Sequence, residues 1–525
     1  MEIESRSEPV TERDGKDEKD EKDQRPSPAS TPAVRSESPR GSRRSPLVRR
    51  ALIGSVAGCV VLGGVLVLRP DGGGEAAPPA LGPAGRAMAA AGAGAPAALP
   101  DLTVLIGERE AHLRKNPGDD ESWAVLGAAY VERGQRTADS AYYPRAEQAL
   151  RTSLKTRPQG NARALTGMAV LANARHDFRG AKKWARSAVA LAPKSWSAYP
   201  SLIDAYSGLG DAKGADKALE SLQELNSDAT SVMARSGQVY RDRGWRENAA
   251  VALMDAAALA EGPAQKAACL YLEGELAWER GEPSEALRYY DAALASDPDH
   301  HPSLAGKGRA LAALGRTSEA LRSYQNALAR QPAPEYALAL GELYESLRLT
   351  PAARAQYDVL RARVKQEGVN GVNDERILGL FEADHGDADE AVDRLRAEFK
   401  RHGSPEVADA LGWALHRAGE DEEALKLATR ATDKGPRSAV FAYHRGEIER
   451  ELGRYGAARR HIGEALRLNP HFSPLLAPEA RDAMESLGDP PDGGPDQMYA
   501  PAPPPAAAPP RPAASAPTPR PTQQS

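Results

Sequence analysis

Between Asp101 and Gly488 the apolar residues recur at helical spacing, broken by glycine or proline, and the whole pattern returns about every 34 residues. One small residue marks each return: Ala146, Ala181, Ala215, Ala249, Ala286, Ala320, Ala353, Ala391, Ala424 and Ala458. Twelve positions before most of these alanines stands a glycine, as in Gly237, Gly274, Gly308 and Gly446, where two helices must pass closely. Five positions before the alanine a second glycine, such as Gly210, Gly281 or Gly453, is placed to end a first helix. Twelve positions after it a proline, such as Pro158, Pro298 or Pro470, marks the exit from a second helix. The pattern predicts ten helical hairpins, with a further helix from about Pro474 to Leu487 closing the array.

Outside this region the pattern changes. Residues 1–50 hold almost no large apolar side chains and are expected to be a disordered tail. Residues 51–68, ALIGSVAGCVVLGGVLVL, are 18 uncharged residues, about 27 Å as a helix, enough to span a membrane. Six arginines precede this segment within residues 35–50, and only Arg69 and Arg86 follow it closely. The asymmetry predicts a single-pass cell-membrane anchor with a cytoplasmic N-terminus and extracytoplasmic repeats. Export after cleavage, at a site such as Ala87-Met88-Ala89, is the alternative. Val56-Ala57-Gly58-Cys59 also has the form of a lipoprotein box and Arg49-Arg50 that of a twin-arginine signal, although the apolar run continues beyond Cys59. Residues 69–100 form an Ala/Gly/Pro tether, and residues 489–525, with thirteen prolines in 37 residues, a Pro/Ala-rich disordered tail of extended backbone.

Trp123, Leu126, Gly127 and Tyr130, then Ala146 and Pro158, set out the first unit, and GELAWERGEPSEALRYYDAALASDP the fifth. The arrangement resembles the tetratricopeptide repeat (TPR), in the form of a membrane-anchored bacterial protein. The resemblance implies an all-α superhelix, an α-solenoid whose units each bury one side against a neighbour. It also implies that first helices line a concave surface receiving protein or peptide segments. In that register Arg241, Tyr271, Glu275, Trp278 and Arg309 of units 4–6, with Trp413, His416, Tyr443 and Arg450 of units 9 and 10, face the groove as candidate partner-binding residues. Glu342, Glu345, Asp409 and Glu447 fall there too. A shift of one position would bury Trp278 and Trp413 instead. Tyr130, Tyr240, Tyr290, Tyr324 and Tyr357 fall where a ring fills the layer between helices.

Charge and chemistry narrow the picture further. With 68 basic against 73 acidic side chains the net charge is −5, without the positive excess that nucleic acid requires. Cys59 and Cys269 are too far apart to suggest a disulfide framework, and the ten histidines form no zinc or haem signature. Asp297-Pro298-Asp299-His300-His301-Pro302 reads as a solvated loop at a unit boundary rather than a cation site. Gly306-Lys307-Gly308 lacks the rest of a nucleotide loop, and no nucleophile elbow is present. Ser27, Thr31, Ser38 and Ser45 precede prolines beside arginines, where phosphorylation would weaken the local positive field. The sequence therefore predicts a non-enzymatic, membrane-tethered interaction scaffold without cofactor or metal. A cytoplasm-facing assembly or regulatory adaptor, and more remotely a small-ligand-binding protein or enzyme, are the other readings.

Overall fold

The computed structural model describes residues 81–488 apart from Gly435. The expected tails 1–50 and 489–525, the expected membrane segment 51–68 and residues 69–80 of the tether lie outside the described residues. Among the described residues no helix is long and apolar enough to cross a membrane.

The described chain contains 23 α-helices and no strand. Helices α1 (Pro83–Gly92) and α2 (Leu99–Lys115) precede ten hairpins. The first five are α3–α4 (Asp120–Thr137, Tyr142–Thr156), α5–α6 (Ala162–Ala174, Phe178–Leu191), α7–α8 (Tyr199–Gly208, Ala212–Asn226), α9–α10 (Thr230–Asp242, Arg246–Leu259) and α11–α12 (Pro263–Glu279, Pro283–Ser296). The second five are α13–α14 (His301–Ala313, Thr317–Arg330), α15–α16 (Pro334–Ser346, Thr350–Val369), α17–α18 (Glu375–His385, Ala388–Arg401), α19–α20 (Pro405–Arg417, Asp421–Lys434) and α21–α22 (Ala439–Glu451, Tyr455–Leu468). Helix α23 (Leu476–Leu487) covers the last hairpin.

The repeat alanines explain the hairpins: all ten are buried, because only a methyl group fits where the two helices of a unit cross. The glycines opposite them serve the same end. A Cβ on Gly274 would fall 2.5 Å from the Tyr290 ring, and one on Gly306, in the next unit, 2.6 Å from the same ring. Tyr290 is thus clamped between two units, fully buried, and Tyr130, Tyr324 and Tyr357 are buried in equivalent layers. Tyr240 is only half-buried. Side-chain caps start several second helices, with Asp177 accepting from Gly180 N and Asp211 from Gly214 N. The wide spacing between Ala353 and Ala391 comes from α16, which runs for 20 residues.

Where it is described, from residue 81 on, the tether expected over 69–100 is packed rather than a free spacer. From Pro83 the chain is helical, and α1 buries Ala84 and Ala87. Arg86 grips Asp101 of α2 through two hydrogen bonds, of 2.9 and 2.5 Å. Beyond α1, Ser231 Oγ donates to the Ala93 carbonyl at 2.8 Å, and Ala97 N donates to Glu132 Oε1 at 2.5 Å. Alanine-rich composition hid this, since alanine forms helix well yet gives little apolar periodicity.

The array is wound so closely that units five apart meet along a seam. The α5–α6 turn touches the linker after α16, where Asn373 N donates to the Arg175 carbonyl at 3.1 Å. Next along the chain, the α7–α8 turn lies on the linker after α18, where a Cβ on Gly210 would stand 2.9 Å from Ser404 Cα. At the α9–α10 turn Arg246 Nη2 donates to the Arg437 carbonyl at 2.7 Å. Asn469, buried after α22, donates to the Trp278 carbonyl at 2.8 Å beside the α11–α12 turn. Gly210 and Gly281 have φ of +67° and +74°, so they end their helices in the left-handed region and also admit the neighbouring coil. Gly315, with the same φ of +74°, meets open space, because its turn has no unit to rest on.

Candidate partner-binding face

First helices of successive units stand side by side and present their inward positions to the groove. Arg241, Tyr271, Glu275, Trp278 and Arg309 come together there. Arg309 Nη2 donates to Glu275 Oε1 at 2.6 Å and to Tyr290 Oη at 3.2 Å, and Tyr290 Oη donates to Glu275 at 2.7 Å. The Arg309 guanidinium lies over the Trp278 ring at 4.7 Å, a cation–π contact. Arg241 Nε stands 3.7 Å from Glu279 Oε1.

The charges settle one another. Burial pushes the Glu275 carboxyl up, but Arg309 and Tyr290 outweigh it and hold it below the usual carboxylate range. Burial likewise opposes the charge on Arg309, and Glu275 and Tyr290 more than restore it. Asp242 has a harder position: burial pushes it up to about 6, with Arg241 opposing and Glu406 adding to the rise. Burial also raises the Tyr271 phenol, with Glu275 adding. Trp278 itself is 8 % exposed and packs between helices; what the groove receives from it is a base for Arg309.

The second set divides. Trp413 is 3 % exposed and Tyr443 2 %, so both belong to the core. Trp413 stacks on His444 at 4.1 Å and donates through Nε1 to Asp384 at 2.9 Å. Asp409, also buried, pairs with His444 at 3.0 Å. Tyr443 Oη donates to Glu479 of α23 at 3.1 Å, tying the last unit to its cap. His416 is held by Asp421 at 2.5 Å, and Arg450 by Glu447 at 2.7 Å. Groove register alone misplaced Trp413 and Tyr443, because these side chains turn sideways, Trp413 onto His444 of α21 and Tyr443 onto Phe472 and Glu479 at the cap.

Asp297 is no solvated loop residue: it pairs with Arg136 of α3 at 2.7 Å, both side chains largely buried. His300 bonds Ser303 Oγ at 2.8 Å and His301 bonds Tyr336 Oη at 3.0 Å. Burial drives the two imidazoles down to about 4 and about 3, His300 adding to the fall of His301. Among the described residues no group of three or more His, Cys, Asp or Glu side chains could hold a metal ion. Gly306 and Gly308 are glycines because Tyr290 and Tyr324 occupy the space a Cβ would take. A cavity of about 1370 Å³ opens where the two coils face each other, lined by Asp204, Arg235, Asp242, Arg376, His402 and Glu406.

Paired helices repeated about every 34 residues, each covering its neighbour, define an α-solenoid of helix-turn-helix units. Tetratricopeptide-repeat models match residues 277–343 and 378–439. The chain carries tetratricopeptide repeats. No curated protein matches its sequence. Among solved structures it is similar to the thermophilic TPR protein TTC0263 of Thermus thermophilus, at 23 % identity over 37 % of this chain and 99 % of that one, with a TM-score of 0.30. It is also similar to Pseudomonas aeruginosa PilF, at 16 % identity over 46 % and 99 % of the two chains, with a TM-score of 0.32. Human IFIT1, solved as a dimer with m7Gppp-AAAA, gives 17 % identity over 63 % and 77 %, with a TM-score of 0.41.

Proposed function

We propose that this chain is a non-enzymatic, membrane-tethered scaffold whose inner repeat face binds segments of partner proteins. Tetratricopeptide repeats generally serve protein–protein interaction, and the observation that carries the reading here is the inner face of units 4–6. There Arg309, Glu275 and Arg241 are held by one another and by Tyr290 and Glu279, with the Tyr271 ring against Tyr290, in place before any partner arrives. A preorganised polar face loses little freedom on binding. Tethering rests on the apolar run 51–68 and the arginines before it, and so does the placing of the repeats outside the cytoplasm.

Two measurements test the proposal. In intact protoplasts, protease should digest a C-terminal epitope while an N-terminal epitope survives; repeats that survive until lysis would instead establish a cytoplasm-facing adaptor. A photo-crosslinking residue at Gln238, on the inner face, should capture a partner that the same residue at Met254, exposed on α10, does not. Equal capture from both positions would remove the inner face from the function.

A further inference from the structure

Resting on that reading, we infer that the inner face of units 7 and 8 receives a lysine- or arginine-bearing peptide segment of the partner, its cationic side chain entering between Glu342, Glu345 and Asp384. The inward positions of units 4–7 hold the carboxylates Asp242, Glu275, Glu279, Glu335, Glu342 and Glu345 against the arginines Arg235, Arg241 and Arg309. All three arginines are already taken, by Asp204, Glu279 and Glu275. The face therefore holds more carboxyl groups than cations to meet them, in a chain whose net charge is only −5.

The charge is most concentrated at the α15–α17 contact. Glu345 accepts from Tyr357 Oη at 2.6 Å and Asp384 from Trp413 Nε1 at 2.9 Å, so each has an anchor. His385 Nδ1 also stands 3.4 Å from Glu345, its imidazole lowered by burial, and Arg417 Nε stands 3.7 Å from Asp384. Glu342 has no such partner among the described residues: its neighbours are the carboxylates Asp384 and Glu345, with the phenols of Tyr324 and Tyr357 facing the same space. Burial, then Asp384 and Glu345, push its carboxyl up to about 8. Farther along the face, Oε1 of Glu447 is without a hydrogen-bond partner among the described residues, on a side chain only 7 % exposed. The carboxylates at α15–α17 do not come close enough to hold a metal ion. The complement they fit is an organic cation with several donors, and a groove lined by parallel helices delivers it on an extended segment.

Cation entry favours the ionised Glu342 and expels its proton. Calorimetry on the full chain would compare a short alternating Lys-Ala peptide with the matching Glu-Ala peptide, in buffers of different ionisation enthalpy. The Lys-Ala peptide should bind with proton release at neutral pH, more tightly as pH rises from about 6 to about 9, and the Glu-Ala peptide should not bind. Glu342→Gln should abolish proton release, and Glu342→Gln with Asp384→Asn should weaken binding about tenfold or more. Lys-Ala binding unchanged in these variants, or matched by the Glu-Ala peptide, would overturn the inference.

Failure here is separable from failure of the scaffold itself. If Gln238 captures a partner while the Lys-Ala peptide fails to bind, the scaffold stands and the cationic segment does not. A photo-crosslinking residue at the exposed Glu335 that captures residues 35–50 of the chain would show the site filled by the protein's own arginines, which also overturns a partner segment.

Discussion

Tyr290 offers the sharpest trial of how the units are held together. Its ring is fully buried, and Cβ atoms on Gly274 and Gly306 would fall 2.5 and 2.6 Å from the same ring edge. Gly306→Ala therefore forces the ring aside, an overpacking cost of about 1–3 kcal/mol. Against this stands the gain of about 1 kcal/mol from alanine over glycine within α13. The net effect in the native background is a loss of up to about 2 kcal/mol. With Tyr290 first replaced by alanine, itself costing about 3–5 kcal/mol, the clash disappears and only the helical gain remains. Gly306→Ala should then stabilise by about 1 kcal/mol, a reversal of sign that contact energies treated as additive would never give. Hydrogen exchange at the α12 and α13 amides is the proper assay, since a repeat array can open locally without unfolding elsewhere. An equal effect of Gly306→Ala in both backgrounds would refute the clamp.

Three further outcomes follow from the same geometry. His300 and His301 titrate near 6.5 when unfolded but at about 4 and about 3 when folded, so their contribution is intact above pH 6.5 and is lost as pH falls through the folded values; His301→Gln should flatten the acid limb of the stability profile. Glu342 is the opposite case, raised from 4.5 to about 8: its cost is absent below pH 4.5 and grows as pH rises through 8, so Glu342→Gln should raise the melting temperature more at pH 8 than at pH 5. Asn469→Ala removes one of two donors to the Trp278 carbonyl, which keeps Gly281 N, together with the Oδ1 acceptor of His471 N, and should cost about 0.5–1.5 kcal/mol, with faster exchange concentrated in the α11–α12 turn.

The local architecture was legible because close packing writes itself into small residues. Alanine and glycine recur where helices cross, tyrosine where a layer must be filled, and proline where the second helix ends. The meeting of the polar side chains of units 4–6 was legible for the same reason, since Glu275 and Arg309 occupy equivalent positions one repeat apart. The seam was hidden: Asn373, Ser404, Arg437 and Asn469 are unlike one another and sit in linkers without periodicity. Asn373, Ser404 and Arg437 meet their partners through backbone atoms, and Asn469 reaches a backbone carbonyl, none of which leaves a signature in side-chain pattern. Trp413 was misread because an indole at a groove position can face either solvent or a sideways neighbour, and only the stacked His444 and the Asp384 acceptor decide it.

The seam also constrains how such a chain can change length. In an open solenoid a unit gained or lost disturbs only its two neighbours. Here the turns of units 2–5 each rest on a linker five units on, so removing one hairpin from the middle would slide those linkers past their partners. Asn469 would no longer reach the Trp278 carbonyl, and Ser404 would no longer fit the space left by Gly210. The array behaves as a thread cut to one pitch. Natural variants should keep the number of units between seam partners fixed and tolerate insertions within the free turns, of which the one at Gly315 is an example.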